Sequence, residues 1–268
     1  MRPIKIEGYQ RYLEIVKEYG GKGCMTNDYL QLEASDLIAQ ESLYECCGEK
    51  NAFLLVKKDG FWRIYYYLND LEEELIQDGE TLVAEILFRG NVGEPSEQVS
   101  YLERYGFKRF LVRDQYYAKY SSLVPPVPSK GISIEMAQSL EDIVWAIDLF
   151  NTVFDKWSGD FIPLEMAQSL TDNKAILIAK DADGRRLGSL HTEKQAGVTW
   201  IRHIAVAEGE KGQGVGRSLL DACVERGHLD ENSRYQLWVQ RQNIPAVSMY
   251  QKKGFTYLNK SSLSLIKQ

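Results

Sequence analysis

The sequence predicts an α/β protein built as two domains in tandem, each a mixed, mostly antiparallel sheet flanked by helices. Three observations predict it: apolar residues recur with strand and helix periods in alternation, a proline-rich segment divides the chain, and one phrase occurs on both sides of that segment. The phrase is "YLERYGF" at 101–107 and "MYQKKGF" at 249–255, in each case a helix end, a glycine stop and a phenylalanine opening a strand. The length of 268 residues also favours two domains of ordinary size.

The N-terminal stretch "MRPIKIEGYQRYLEIVKEYG" carries charges every few residues, and no run of about 18 uncharged apolar residues occurs in the chain. A signal peptide and a spanning helix are therefore not expected, and a cytoplasmic protein is. With 44% hydrophobic and 26% charged residues and a net charge of −6, the composition argues against a broad nucleic-acid or anionic-membrane surface. Cys24, Cys46, Cys47 and Cys223 show no C-x-x-C spacing and read as reduced structural thiols. Three histidines without an H-E-x-x-H pattern give no reason to expect a metal.

The segment "LVPPVPS" at 123–129 holds three of the seven prolines, which remove backbone donors and fix φ. It places a linker at 123–131 between a domain at 1–122 and another at 132–268. Downstream, 140–154 spaces apolar residues as a helix does, "AILIAKDADGRRLGSL" reads as a hairpin turned at Asp183-Gly184, and "VTWIRHIAV" as a strand. Leu219, Leu220, Cys223 and Val224 form one helical face, with Arg226 and Gly227 reading as its C-terminal end. "RYQLWVQ" is a strand, "IPAVSMYQKKG" a helix with Pro245 in its first turn, and "FTYLNKSSLSLI" supplies closing strands. The order ααβββαβαββ predicts a mixed sheet with helices on both faces. Upstream, "NAFLLVKKDG" parallels "NKAILIAKDADG". Matching Ala52 to Ala175 gives an offset of 123 and matching Gly106 to Gly254 an offset of 148, so the first copy lacks 25 residues between these landmarks. The missing piece falls where the second copy keeps a glycine loop, which reads as a duplication whose first copy lost a ligand-binding segment.

That loop, "KGQGVGRS" at 211–218, joins a strand to a helix. Without Cβ atoms, Gly212, Gly214 and Gly216 let backbone N–H groups turn toward one point, where the new helix adds its own unpaired donors and positive dipole end. Such a bend suits a pyrophosphate. It is neither a P-loop, which would close with G-K-[ST], nor the dinucleotide fingerprint, since Arg217 stands where a third glycine is required.

"IRHIAV", "KGQGVGRSLL" and "NIPAVSMYQKKGF", in this order, resemble the acyl-CoA signature of the GCN5-related N-acetyltransferase superfamily over about residues 132–268. The departure is Lys211, where the family usually has Gln or Arg. The resemblance implies acetyl-CoA as cofactor, bound by Ile204, Ala205 and Val206 of the strand, by Lys211, Gly212, Gln213, Gly214, Val215, Gly216, Arg217 and Ser218 of the loop, and by Asn243 and Tyr250. It implies direct attack of an amine on the thioester, with Tyr250 as the acid that protonates the leaving thiolate. In the first half Leu102 stands opposite Tyr250 and Pro95 opposite Asn243, so that half is expected to be catalytically silent.

The base is not legible. The family's positions for it correspond to Trp200, Arg202 and Trp238, and strict strand alternation points His203 away from their face; His203 is nonetheless the candidate, with His191 or Glu193 acting through water as others. The expected acceptor is a small-molecule amine or a peptide, and "DKWSGDF" at 155–161 is a candidate lid. A non-catalytic acyl-CoA-binding or partner-docking module is the alternative, and transfer to a thiol or hydroxyl a weaker one.

Overall fold

The computed structural model describes residues 3–74, 79–127, 131–229 and 234–268. Its elements are β1 (Ile4–Lys5), α1 (Tyr9–Tyr19), β2 (Met25–Thr26), α2 (Ala34–Ala39), β3 (Leu43–Cys47), β4 (Ala52–Lys58), β5 (Phe61–Leu68), β6 (Leu82–Phe88), α3 (Ser96–Arg104) and β7 (Lys108–Lys119), then β8 (Ser133–Met136), α4 (Leu140–Val153), α5 (Ala167–Asp172), β9 (Ile176–Lys180), β10 (Arg186–Gln195), β11 (Val198–Val206), α6 (Val215–Leu229), β12 (Arg234–Gln240), α7 (Ile244–Lys253) and β13 (Thr256–Lys267). Among the described residues no helix is long and apolar enough to cross a membrane.

The chain divides into two compact units, one ending at Val112 and completed by Lys260–Gln268, the other Arg113–Asn259. In the first the strand order is β1-β3-β4-β5-β6-β13, in the second β8-β9-β10-β11-β12-β7. The two orders are the same, element for element. Each contains a single parallel pair three residues long, β5 with β6 and β11 with β12, and the other neighbours are antiparallel. The last strand of each unit comes from the other copy: β13 pairs with β6 from Ser261↔Phe88 to Lys267↔Leu82, and β7 pairs with β12 from Arg113↔Gln240 to Lys119↔Arg234.

Two expectations change as a result. The division does not fall at 123–131, because β7 and β13 are each 12 residues long and leave one unit for the other at 112/113 and 259/260. The proline segment, of which 128–130 lie outside the described residues, belongs to the second unit: Val124 N donates to Lys253 O, and the Lys253 ammonium, ion-paired with Asp221 at 2.5 Å, donates to Val124 O. In addition "NAFLLVKKDG" forms β4, whose place in the strand order is that of β10 rather than β9, so the offset of 123 does not mark equivalent positions. The shortfall sits in one connection: 13 residues (69–81) join β5 to β6, whereas 27 (207–233) join β11 to β12.

Strand alternation loads both faces of each sheet. In the first unit Ala52, Leu54 and Val56 pack under α1 and α2, while Phe53 and Leu55 pack with Leu102 of α3 and Phe107. In the second, Ile176 and Ile178 face α4 and α5, while Leu177 and Ala179 face α6 and α7. A fully buried side chain of this kind contributes roughly 1.5–3 kcal/mol. α4 starts at Ser139, whose side chain accepts from Asp142 N. The repeated phrase closes α3 and α7 identically: Gly106 and Gly254 are left-handed (φ 89° and 106°), their N–H groups bond Glu103 O and Gln251 O, and Phe107 and Phe255 N–H bond Leu102 O and Tyr250 O. Gly227 does not end α6, which runs on to Leu229; a Cβ there would lie 2.7 Å from the Tyr235 hydroxyl, which itself donates to Val224 O.

Candidate functional site

The parallel register of β11 with β12 covers Thr199↔Tyr235, Trp200↔Gln236 and Ile201↔Leu237. Arg202 to Val206 continue without a β12 partner among the described residues, so backbone groups of β11 line a gap that leads to the glycine loop. Gly212 and Gly214 are left-handed, at φ 83° and 86°. A Cβ at Gly212 would meet nothing within 4 Å, and one at Gly214 only the Arg217 guanidinium at 3.7 Å. The conformation therefore excludes L side chains cheaply while the space in front of the backbone stays open. Helix α6 begins at once at Val215, and its first-turn N–H groups have no intrahelical acceptor. A left-handed bend, open space and a helix start together fit the pyrophosphate that the resemblance implies.

The loop's polar side chains mostly bond one another. Lys211 pairs with Glu208 at 2.8 Å, and Gln213 donates to Gly209 O and Glu210, both at 3.1 Å. Ser218 is buried, with its N–H and hydroxyl both on Gly214 O, so it steadies the turn. Behind the loop, Ile204, Val206, Val215, Met249 and Tyr250 share one apolar cluster. Tyr250 is 7% exposed and packs edge-on against Phe255. Burial, with Cys223 nearby, holds its phenol well above the ordinary value, so it stays protonated at neutral pH. Asn243 caps α7, its side chain accepting from Ala246 N at 3.2 Å.

His203 lies on the opposite face from this cluster, and the reason is a β-bulge. His191↔His203 is followed by Thr192↔Ile201, so Arg202 is the extra residue in β11. Before the bulge, Ile201 belongs to the α6 face; after it, Ala205 belongs to the α4 face and Ile204 and Val206 to the α6 face. Strict alternation, which sets His203 apart from Trp200, is thereby overturned: both now stand on the α4 face. His203 is 6% exposed, tilted at 33° against Phe150 and edge-on to Phe154. Its Nε2 is 3.0 Å from Asp160 O and its Nδ1 is 3.1 Å from His191 Nδ1. A carbonyl only accepts, so His203 carries its proton on Nε2, accepts at Nδ1 from His191, and leaves His191 Nε2 as a bare lone pair. That atom is buried without a partner among the described residues. Burial pushes His191 down to about 3, and burial also lowers His203, with Asp160 opposing. Both rings are neutral at pH 7.

No sequence signal singled out Arg113, yet it sits at this site, 3.3 and 3.4 Å from the two Asp160 carboxylate oxygens, while Ser158 Oγ donates to Asp160 at 2.7 Å. The candidate lid 155–161 is thus held by β7 and by β11.

The first unit repeats the parallel pair at Trp62↔Leu82, Arg63↔Val83 and Ile64↔Ala84, then closes the gap with its own side chain. Asn27 Nδ2 donates to Ile64 O (3.2 Å) and Glu85 O (2.9 Å), and its Oδ1 accepts from Tyr66 N (2.7 Å). Arg63 and Glu85 form a buried ion pair beside it.

Residues 140–255 match the profile of the Acetyltransferase (GNAT) family. A mycothiol acetyltransferase of Clavibacter sepedonicus is 32% identical over 94 residues, 34% of this chain and 30% of the relative, so the match spans about a third of that protein's length. Among solved structures, a GCN5-related N-acetyltransferase from Sphaerobacter thermophilus superposes with a TM-score of 0.62 at 15% identity, covering 81% of this chain and 76% of its own. A tandem GNAT protein from the clavulanic acid biosynthesis pathway superposes with a TM-score of 0.57 at 14% identity, over 84% of this chain and 82% of its own. At such identities the superpositions speak for the fold. The open glycine bend and the splayed strand pair lie in the segment, residues 140–255, that is similar to the GNAT acetyltransferase family.

Proposed function

We propose that the second unit is an N-acetyltransferase that moves an acetyl group from acetyl-CoA to a primary amine by direct attack on the thioester. Bound acetyl-CoA supplies the acyl carbon: the amine nitrogen bonds to it, the C–S bond breaks and CoA leaves as a thiolate. The residues of the chain hold, orient and move protons. The N–H groups of the 212–217 bend grip the diphosphate, and the backbone groups of 202–206 on the edge away from β10, which have no β12 partner among the described residues, align the acyl end. Tyr250, kept protonated by burial, protonates the thiolate. An amine of pKa near 10 arrives charged and must shed a proton. His203 is the residue for this; the Asp160 carbonyl holds the resting tautomer with the proton on Nε2, and once that carbonyl withdraws, the tautomer with the proton on Nδ1, donated to His191 Nδ1 while His191 carries its own proton on Nε2, leaves Nε2 bare to accept from the ammonium. The first unit, with its gap filled by Asn27, acts as a scaffold.

The observation that carries this reading is the left-handed Gly212-Gly214 bend opening directly onto α6 with free space before it. Calorimetry on ligand-free protein with CoA and acetyl-CoA, followed by thiol-release assays on an amine panel, tests it: no heat with either ligand refutes it. A non-catalytic acyl-CoA binder is the second reading, favoured by the engagement of both His203 nitrogens. Binding without turnover on any amine would establish that reading instead.

A further inference from the structure

A cavity of about 230 Å³ lies in the second unit between the sheet and the C-terminal half of α6. It is remote from the glycine bend. Thr199 on its wall is at the start of β11, which reaches the loop only after Val206, and Cys223 on its wall stands about 12 Å along α6 from Val215. Thr199 lies two residues before Ile201 and so shares the α6 face with it, and Met136 meets Leu177 as a cross-strand pair on that face. Two cations stand at the mouth. Arg226 follows Cys223 by one turn of α6, and Lys174 occupies the turn before β9, left-handed at φ 50° with its N–H on Thr171 O. Both are exposed, and neither has an ion-pair partner among the described residues. Lys194 also lines the cavity and is itself engaged. No carboxylate among the described residues lines it. Burial pushes the Cys223 thiol up to about 12, so no thiolate offsets the two cations. Further in, Thr199 is 2% exposed and its hydroxyl has no hydrogen-bond partner among the described residues. Buried hydroxyls are ordinarily bonded.

We propose that this cavity is a second ligand site, separate from the acetyl-CoA site, and that it takes a compact hydroxy- or oxo-acid. The carboxylate sits at the mouth, on Lys174 and the Arg226 fork. The apolar body lies against Met136, Leu177 and the neutral Cys223, contacts that an inorganic anion could not make. The ligand's second oxygen reaches the Thr199 hydroxyl, which lacks a partner in the protein. Cations outside and a lone hydroxyl inside are matched by an acid with polar atoms at both ends. Since a cavity of about 150 Å³ suffices for benzene, this one suits a molecule of roughly eight to ten non-hydrogen atoms. A nucleotide or CoA is far larger.

The test is calorimetry and thermal melting of the full chain, free of ligand, with hydroxybenzoates, short α-hydroxy acids and short α-keto acids. Each acid is paired with its amide, with its analogue lacking the inner oxygen, and with inorganic phosphate as the bare anion. At least one acid should bind once per chain, and its amide and deoxy analogue should each bind more weakly, the amide by at least about 10-fold. Its binding should persist under saturating CoA. Lys174→Gln with Arg226→Gln, two exposed changes, should weaken the acid by at least about 10-fold and leave the melting temperature unchanged. Thr199→Val keeps the side chain's shape; it should weaken the acid by about 2-fold to 10-fold without lowering the melting temperature of the ligand-free protein. No heat from any acid at millimolar concentration overturns the proposal. So does binding that CoA displaces, that the double variant leaves unchanged, or that inorganic phosphate equals. A lower melting temperature in ligand-free Thr199→Val would show that the hydroxyl is already bonded, and would overturn the inner contact. Acid binding without CoA binding would sink the acetyltransferase reading and leave this one standing.

Discussion

Three glycines of the second unit allow its cofactor bend to be tested against its own internal control. Gly209 and Gly214 share the same left-handed φ of 86°, and a Cβ would meet nothing within 4 Å at Gly209 and only Arg217 at 3.7 Å at Gly214. Alanine at either should cost about 1–2 kcal/mol of backbone strain, which for a unit of this size lowers Tm by roughly 2–8 °C. The two differ in what the new methyl faces. At 214 it enters the space before the first turn of α6, where it should block one N–H contact to phosphate, worth about 1.5–3 kcal/mol. Gly214→Ala should therefore weaken CoA binding by roughly 10-fold to 150-fold, while Gly209→Ala leaves Kd within about twofold. Gly216 is the opposite case, lying inside α6 with Met249 Sδ at 3.6 Å and Val206 Cγ2 at 3.7 Å from its virtual Cβ, both ordinary contacts. Gly216→Ala should keep affinity and gain about 0.5–1 kcal/mol from helix propensity. Calorimetry and thermal melts on the three variants read both quantities. Equal affinity loss in Gly209→Ala and Gly214→Ala, or none in Gly214→Ala, would refute the phosphate assignment.

Tyr250→Phe should bind acetyl-CoA as the parent does and lose about 100-fold in kcat; an unchanged kcat removes Tyr250 as the acid. Because the folded-state pKa of His191 is depressed from 6.5 to about 3, its contribution to stability is complete above pH 6.5 and is lost as pH falls toward 3. The urea midpoint should drop between pH 7 and pH 4.5, and His191→Asn should flatten that part of the profile; an equal slope in the variant contradicts the prediction. Lys253→Met leaves Asp221 charged and buried, which should destabilise the second unit by about 3–5 kcal/mol in urea unfolding. A loss below 1 kcal/mol would mean that the pair is solvated.

Much of the second unit is legible because each signal there is local. The helix at 140–154, the strand at 198–206 and the glycine end at 254 follow from periodicity and capping within a few residues, and the structure has them at Leu140–Val153, Val198–Val206 and Gly254. What escaped depends on partners remote in sequence. The bulge at Arg202 carries no glycine to announce it and exists only in the register between β10 and β11, so the side of the sheet on which His203 lies is not written in β11 alone. Gly227 reads as a helix end because its true constraint is the Tyr235 ring. The match of "NAFLLVKKDG" to β9 failed because adjacent buried strands with the same alternation resemble each other more than topological equivalents need to.

Each unit takes its last strand from the other half of the chain. Removing residues 1–112 would keep the Arg113–Lys119 part of β7 that pairs with β12, yet β13 would lose β6, its partner along Ser261–Lys267. The first unit's own gap is closed. Asn27 closes it with three buried hydrogen bonds, each worth about 1 kcal/mol net and costing more if broken on one side only. The same strand divergence therefore has two outcomes. Where 27 residues follow β11, they hold a glycine bend and a helix start; where only 13 follow β5, a side-chain amide satisfies the separated backbones.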